Sequence, residues 1–212
     1  MRRVLMALAI LLPLAGCSTD KPAPAPPSAP TPSASTPKPL TSVVVTKPKQ
    51  KLLPSSFDDA AADEHASLTQ QIVTKLELRT QVLAGFAAKT TGRCPKFQLK
   101  AGAVSQCTVT YSGQTVKWQV TIAKNYKPGV TYLAVYEIKP LQGVLVRDAV
   151  YATWYDTNVR KDLRCDAIPA VQVVTIGTKT PYRCEVLQPL QGGSAYWFIA
   201  PVTLSEAGLI FY

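Results

Sequence analysis

Four cysteines that follow residue 90 occur in a repeated context, and this repetition limits the folds open to the chain. Arg-Cys occurs at Cys94 and again at Cys165, and Cys-x-Val follows at Cys107 and at Cys184. A tryptophan comes next in each half, within VKWQVTI and within AYWFIAPV. The pattern predicts an α+β protein of two tandem small units, each a helix packed on an antiparallel sheet with one disulfide.

The same repetition predicts how the cysteines pair. Four cysteines allow three disulfide connectivities, and two units that fold alike would use the local bridges Cys94–Cys107 and Cys165–Cys184. Closing a loop of this size contributes about 3 kcal/mol on the chain-entropy model, which is substantial for a small core. The alternative is one domain in which the spacing is a coincidence.

The N-terminal residues have the features of an exported lipoprotein. Arg2 and Arg3 precede the apolar run Val4–Leu14, which suits a signal peptide and is too short to span a bilayer. The run ends in Leu-Ala-Gly-Cys17, which resembles the lipobox of bacterial lipoproteins. This implies that residues 1–16 are a signal peptide. It also implies that Cys17 carries acyl chains, such as palmitate, that anchor the protein outside the cytoplasm, on the cell membrane. The alternative is an ordinary signal peptide with an incidental cysteine.

Residues 17–54 are a proline-rich stretch, which we call the tether. It holds 10 of the chain's 18 prolines. Proline fixes φ and lacks a backbone N–H, so we predict a disordered, extended segment between membrane and domain. Residues 41–46, TSVVVT, have strand-like composition. They could pair with an edge of the domain, but we predict that they too are disordered.

The formal net charge of +10 is spread along the chain. Residues 1–16 contribute +2, the tether +4 (five lysines less Asp20), and residues 55–212 the remaining +4 (16 basic less 12 acidic). Nucleic-acid binding requires basic groups clustered on one face beside stacking aromatics. We therefore expect no nucleic-acid partner.

The first unit, residues 55–140, begins with Ser55 and Asp58 at the spacing of a capping box. Apolar residues then recur at helical spacing from Leu68 to Ala87, and Gly92 marks the predicted helix end. Strands are predicted at residues 106–111, 115–123 and 131–138. Alternation in the second of these strands places Trp118 in the core.

The second unit, residues 141–212, has a predicted helix at Leu145–Tyr155. Strands are predicted at residues 171–176, 182–187, 195–199 and 209–212. Tyr196, Trp197 and Phe198 form an apolar run without alternation, so both of its faces are covered or one face exposes aromatics to a partner. These three residues are the candidate binding surface.

Cys94-Pro95 and the stretch GAVSQCTVTYSGQTVKWQVTI, which begins at Gly102, resemble an actinobacterial lipoprotein domain of unknown function. That family pairs a Cys-Pro with a second cysteine preceded by a glycine. The resemblance covers residues 60–138 and, with Asp166 in place of the proline, extends less closely over residues 144–204. It implies two tandem copies of the domain.

The β-lactamase inhibitor protein is distantly similar, in architecture alone. It too is built from tandem helix-plus-sheet units with one disulfide each. Fold-level similarity does not fix function, so no activity follows from it.

The sequence contains no catalytic constellation that we can identify. His65 is the one histidine, and no Gly-x-Ser-x-Gly or Cys-x-x-Cys motif accompanies it. Four acids precede or flank it, and acids at a helix start are expected from the helix dipole. These acids are Asp58, Asp59, Asp63 and Glu64. We predict no enzyme, catalytic residue, metal ligand or cofactor.

The sequence supports three hypotheses for the function. The leading hypothesis is a non-enzymatic binding module for another envelope protein. The alternative is a lipoprotein that binds cell-wall polysaccharide, suggested by nine tyrosines, three tryptophans and the basic tether. It requires exposed aromatics, so burial of both Trp154 and Trp197 would count against it. The third is a hydrolase with a carboxylate pair.

Overall fold

The structure, a computed structural model, describes residues 39–41, 43–54, 66–127, 136–158 and 162–211. Several sequence predictions concern residues outside these ranges and are not addressed by it: the signal peptide, Cys17, Ser55, Asp58, Asp59, Asp63, Glu64 and His65.

Within the described ranges the protein is α+β, with two helices and antiparallel sheets, as predicted. The helices are α1 (Leu68–Ala84) and α2 (Arg147–Thr157). The strands are β1 (Val43–Val44), β2 (Thr90–Arg93), β3 (Val104–Tyr111), β4 (Gln114–Ile122), β5 (Tyr136–Pro140), β6 (Gln142–Val146), β7 (Leu163–Cys165), β8 (Val171–Thr175), β9 (Lys179–Pro189), β10 (Ala195–Ser205) and β11 (Gly208–Phe211). They form sheets in the orders β2-β3-β4-β5, β1-β7-β9-β10-β11 and β6-β8.

Helix α1 begins at Ser67, whose hydroxyl accepts a hydrogen bond from the N–H of Gln70. Its apolar stripe is buried, as predicted. The predicted helix end at Gly92 is wrong, because Gly92 lies in β2. The helix ends instead at Gly85, whose φ of +82° is a left-handed conformation that favours glycine. A Cβ at Gly85 would also lie 2.8 Å from the Cβ of Ala149, so the residue permits a close approach between α1 and α2.

The sheet that follows α1 has the predicted alternation. In β4 the side chains of Val116, Trp118, Val120 and Ile122 are fully buried. The Trp118 indole N–H donates to the hydroxyl of Thr80 on α1 over 3.1 Å. Trp118 is therefore a core residue, as the sequence predicts.

The second sheet has its own cluster of buried residues, and β6 and α2 contribute to both clusters. Val144 of β6 and Ala149 of α2 pack in the first cluster. Leu145 and Trp154, from the same two elements, pack in the second. The residues assigned to the second unit thus complete the core of the first.

Both local disulfides are present, Cys94–Cys107 and Cys165–Cys184, as predicted. The prediction that Trp118 and Trp197 occupy equivalent positions in the two halves is wrong. Trp118 lies directly across from Cys107, whereas the residue across from Cys184 is Ala200. Trp197 lies three residues earlier in β10 and has a different environment.

The predicted strand at residues 171–176 exists as β8, but it is absent from the second sheet. It pairs with β6 in a separate two-stranded sheet, with Val144 opposite Val173. This strand lies in the segment between Cys165 and Cys184, which is longer than the segment between Cys94 and Cys107.

The prediction that the tether is disordered as far as Pro54 is wrong for its described C-terminal part. Val43 pairs with Cys165, so β1 extends the second sheet at its edge. Val45 is 3% exposed and packs in the second core cluster. The N–H of Leu53 donates to the carbonyl of Gly85. Local composition favours disorder here, but tertiary partners hold the segment against the domain. No helix in the described part of the chain is both long and apolar enough to cross a membrane.

Candidate functional site

The candidate surface lies at one end of the hairpin formed by β9 and β10. Tyr196 is opposite Gln188, Trp197 opposite Leu187 and Phe198 opposite Val186. Alternate side chains of a strand point to opposite faces, so Tyr196 and Phe198 share one face and Trp197 lies on the other. The structure thus divides the three predicted residues between two environments.

Tyr196 and Phe198 are exposed, at 44% and 43% of their surface. Phe198 borders a cavity together with Thr157 and Asn158, at the C-terminal end of α2. Because the helix ends there, it does not cover this end of the sheet. The hairpin loop adds Leu190, which is 50% exposed. We call Leu190, Tyr196 and Phe198 the hairpin-end patch.

Trp197 is partly buried on the opposite face. The guanidinium carbon of Arg164 lies 5.9 Å from the centre of its ring, within cation–π range. Ile199 is on the same face as Trp197 and is 37% exposed. Trp197 is therefore adjacent to Tyr196 and Phe198 along β10, but it does not share their exposed face.

Trp154, which the polysaccharide hypothesis needs on the surface, is 3% exposed. Its ring packs against Phe211 with a centroid separation of 4.8 Å. A glycan platform requires an accessible aromatic face, so Trp154 cannot serve as one in this conformation. Trp197 remains partly accessible, beneath Arg164.

The carboxylate of Glu185, which the sequence motifs do not single out, is fully buried on the same face as Ile199. One oxygen accepts from the N–H of Leu40 over 3.0 Å. The other accepts from the N–H and the hydroxyl of Thr41, over 2.9 and 2.7 Å. An acid between two buried strand residues, Cys184 and Val186, was the available sequence signal. This pattern did not indicate that Leu40 and Thr41 of the tether are the partners of the carboxylate.

An ion pair also joins the tether to α2. The Lys47 ammonium lies 2.6 Å from a carboxylate oxygen of Asp156 and 5.4 Å from the ring centre of Tyr155. The hydrogen bond to Asp156, and then its charge, raise the pKa of Lys47 above its ordinary value. The Lys47 ammonium is fully exposed, so we expect its ion pair with Asp156 to contribute little to the stability of the protein. Burial raises the pKa of Tyr111 and of Tyr151 above the ordinary value of a tyrosine. Neither residue belongs to the hairpin-end patch.

The described ranges contain no group of three or more His, Cys, Asp or Glu side chains that could hold a metal ion. Comparisons with protein-family models, with curated proteins and with solved structures gave no significant match.

Proposed function

We propose that the protein is a membrane-anchored extracytoplasmic lipoprotein whose domain binds another protein of the cell envelope and catalyses no reaction. The hairpin-end patch is the observation that carries this proposal. Tyr196 and Phe198 present two aromatic side chains on one face, at a position that α2 leaves uncovered. Aromatic residues are enriched at protein interfaces and supply much of the binding energy there.

The patch is held on a stiff base. Strand β9, which pairs with the strand β10 that carries Tyr196 and Phe198, contains Cys184, which is bridged to Cys165 in β7. The adjoining Val186 is fully buried directly across from Phe198. A backbone that is already held in place loses less conformational entropy on binding, which favours affinity. Disulfides are also typical of exported proteins, in agreement with the lipobox at Cys17.

A tandem origin of the two sheets is part of the proposal. In each half a helix is followed by four antiparallel strands in sequential order, β2-β3-β4-β5 and β7-β9-β10-β11, apart from β8. In each half the disulfide joins two corresponding places: a cysteine at or directly after the end of the first of these strands, and a cysteine within the second. The shared wall of β6 and α2 makes the two halves one folded body.

Affinity capture with paired variants tests the binding function. The full chain is used to retain proteins from the cell-envelope fraction of its source organism, beside the double variant Tyr196→Ala/Phe198→Ala. The matched control is Leu99→Ala, because Leu99 is also 43% exposed but lies in the first half. We expect one protein that the wild-type chain and the control retain and the double variant loses.

Two results would contradict the proposal. Retention of the same proteins by the double variant would place the interaction elsewhere. Retention of wall glycan, lost in Trp197→Ala and kept in the double variant, would favour the polysaccharide alternative instead.

A further inference from the structure

The positive charge of the domain is concentrated in the part of the chain that forms the first sheet. Residues 85–140 contain eight lysine and arginine residues and a single acid, Glu137. Residues 141–212 contain six basic and six acidic residues, and residues 55–84 contain two basic and five acidic residues. The net charge of +4 on residues 55–212 therefore results from an excess of +7 around the first sheet, which acids nearer the N-terminus partly offset.

Three of these cations lie on one side of the first sheet. Helix α1 covers the side on which Trp118 is buried. Because successive side chains of a strand alternate, Arg93, Lys117 and Lys139 point to the opposite side, and all three are exposed. We call this side, formed by the outward side chains of β2–β5, the open face.

The three cations lie on neighbouring strands. Arg93 is opposite Thr108, and Thr108 is opposite Lys117. The Cα atoms of Arg93 and Lys117 are therefore two strands, or about 10 Å, apart. Lys139 is opposite Gln119, which follows Lys117 by two residues in β4. One extended ligand can thus contact all three side chains.

Apart from Val104, the rest of the open face is polar. Gln106 and Gln119, which lie opposite each other, and several threonines supply amide and hydroxyl groups beside the cations. Glu137 is opposite Thr121, toward one end of the face. The described residues of β2–β5 place no aromatic side chain on this face, so it lacks the stacking groups of a nucleic-acid platform.

The cations of the open face have no acidic partner in the described part of the chain. Ion pairs between described residues join Lys47 to Asp156, Arg147 to Asp148, and Arg183 to Asp166. All of these pairs lie outside the first sheet. Arg93, Lys117 and Lys139 are thus like charges that repel one another, and a bound polyanion would offset this repulsion.

An open face with separate cations suits an extended ligand better than a small anion. An exposed ion pair contributes little to binding by itself. Several such pairs formed with one polymer reinforce one another, because after the first contact the others are intramolecular. The arrangement of these cations therefore favours a polymer with repeated anionic groups.

We propose that the open face binds an acidic polysaccharide. The carboxylates of the polymer pair with Arg93, Lys117 and Lys139, and its hydroxyl groups exchange hydrogen bonds with Gln106 and Gln119. The open face lies in the first sheet and the hairpin-end patch in the second, so this proposal does not depend on the protein-binding function. It also involves none of the tryptophans on which the polysaccharide alternative rests.

Polygalacturonate is the probe, because its repeat units carry both a carboxylate and hydroxyl groups. The full chain with Cys17→Ser, which has no thiol there to acylate, is titrated with the polymer at pH 7.5, and calorimetry measures the affinity. We expect saturable binding that weakens about tenfold between 50 and 200 mM NaCl, because binding releases counter-ions from the polymer. Dextran, which is a neutral polysaccharide, should not bind.

A triple variant identifies the site. Arg93→Gln/Lys117→Gln/Lys139→Gln removes three positive charges from exposed positions of the open face, and it should weaken binding of polygalacturonate about tenfold. In the wild-type chain, the polymer should shift the ¹⁵N–¹H backbone signals of β3 and β4 and leave those of β9 and β10 in place.

The matched control removes the same number of charges from elsewhere. Lys49→Gln/Lys51→Gln/Lys179→Gln changes three exposed lysines that lie outside the first sheet, and it should bind like the unsubstituted chain. Equal midpoints of urea unfolding for the two triple variants show that the difference between them concerns binding and not folding.

Several outcomes would overturn the proposal. They are no binding of polygalacturonate at 50 mM NaCl, equal binding of dextran, and equal losses of affinity in the two triple variants. Vesicles of phosphatidylglycerol form a second arm, in which we expect weaker binding than to the polymer. Tighter binding to the vesicles, lost in Arg93→Gln/Lys117→Gln/Lys139→Gln, would assign the open face to an anionic membrane instead.

Discussion

Thr41 donates both its backbone N–H and its hydroxyl to the carboxylate of Glu185, 144 residues further along the chain. The carboxylate is fully buried, so these bonds replace water that the charged group has lost. The contact fixes the point at which the tether joins the domain.

Replacement of Glu185 by glutamine should lower the free energy of unfolding by about 2 kcal/mol, because the buried donors lose a charged acceptor and meet an amide N–H₂ group instead. Urea denaturation of the full chain measures the change. Glu206→Gln is the control, since Glu206 is exposed in a turn. Equal stability of Glu185→Gln and wild type would mean that the contact does not hold the segment.

Removal of the tether tests the same contact from the other side. A chain that starts at residue 39 should unfold like the full chain. A chain that starts at residue 55 lacks the donors of Glu185 and exposes the site of Val45, and it should lose about 3–5 kcal/mol. Thermal and urea unfolding compare the three chains. Coincident transitions of the two shortened chains would contradict the prediction.

Gly85 and Gly113 form a natural pair of test positions. Both have a left-handed φ, of +82° and +81°, but only Gly85 has a close neighbour, Ala149. Gly113→Ala should therefore cost about 1–2 kcal/mol through backbone strain alone. Gly85→Ala should cost about 1–3 kcal/mol more, because the added methyl group overpacks the contact between the two helices. Equal losses in urea denaturation would mean that the helix contact is loose.

Thr80 supplies the partner of the buried Trp118 indole. Thr80→Val should destabilise the protein by about 1–3 kcal/mol, since it leaves a buried donor unpaired. Thr80→Ser keeps the hydroxyl and should recover most of that loss. If the two variants proved equally stable by urea denaturation, the hydrogen bond would contribute nothing measurable.

Residue periodicity predicted the parts of the fold that depend on local pattern. The alternation in β4 placed Trp118 in the core because a strand with one buried face has a period of two. The repeat in the sequence predicted both disulfides, Cys94–Cys107 and Cys165–Cys184. These features need no knowledge of distant contacts.

Features that depend on distant partners could not be predicted in this way. Gly85 ends α1 where α2 approaches, and the sequence near Gly85 contains no sign of Ala149. The strand-like residues around Val43 are ordered because an edge of the second sheet accepts them. The run at Tyr196 and Phe198 lacks alternation, so its exposure depends on where α2 ends.

Site-specific photo-crosslinking tests the central claim most directly. The photoreactive residue p-benzoylphenylalanine is placed at Phe198 of the full chain in intact cells, and at Lys117, an exposed position in the first sheet, as the control. The proposed binding function predicts one discrete protein adduct from position 198, with none from position 117. The claim would be contradicted by no adduct at position 198, or by the same adducts from both positions.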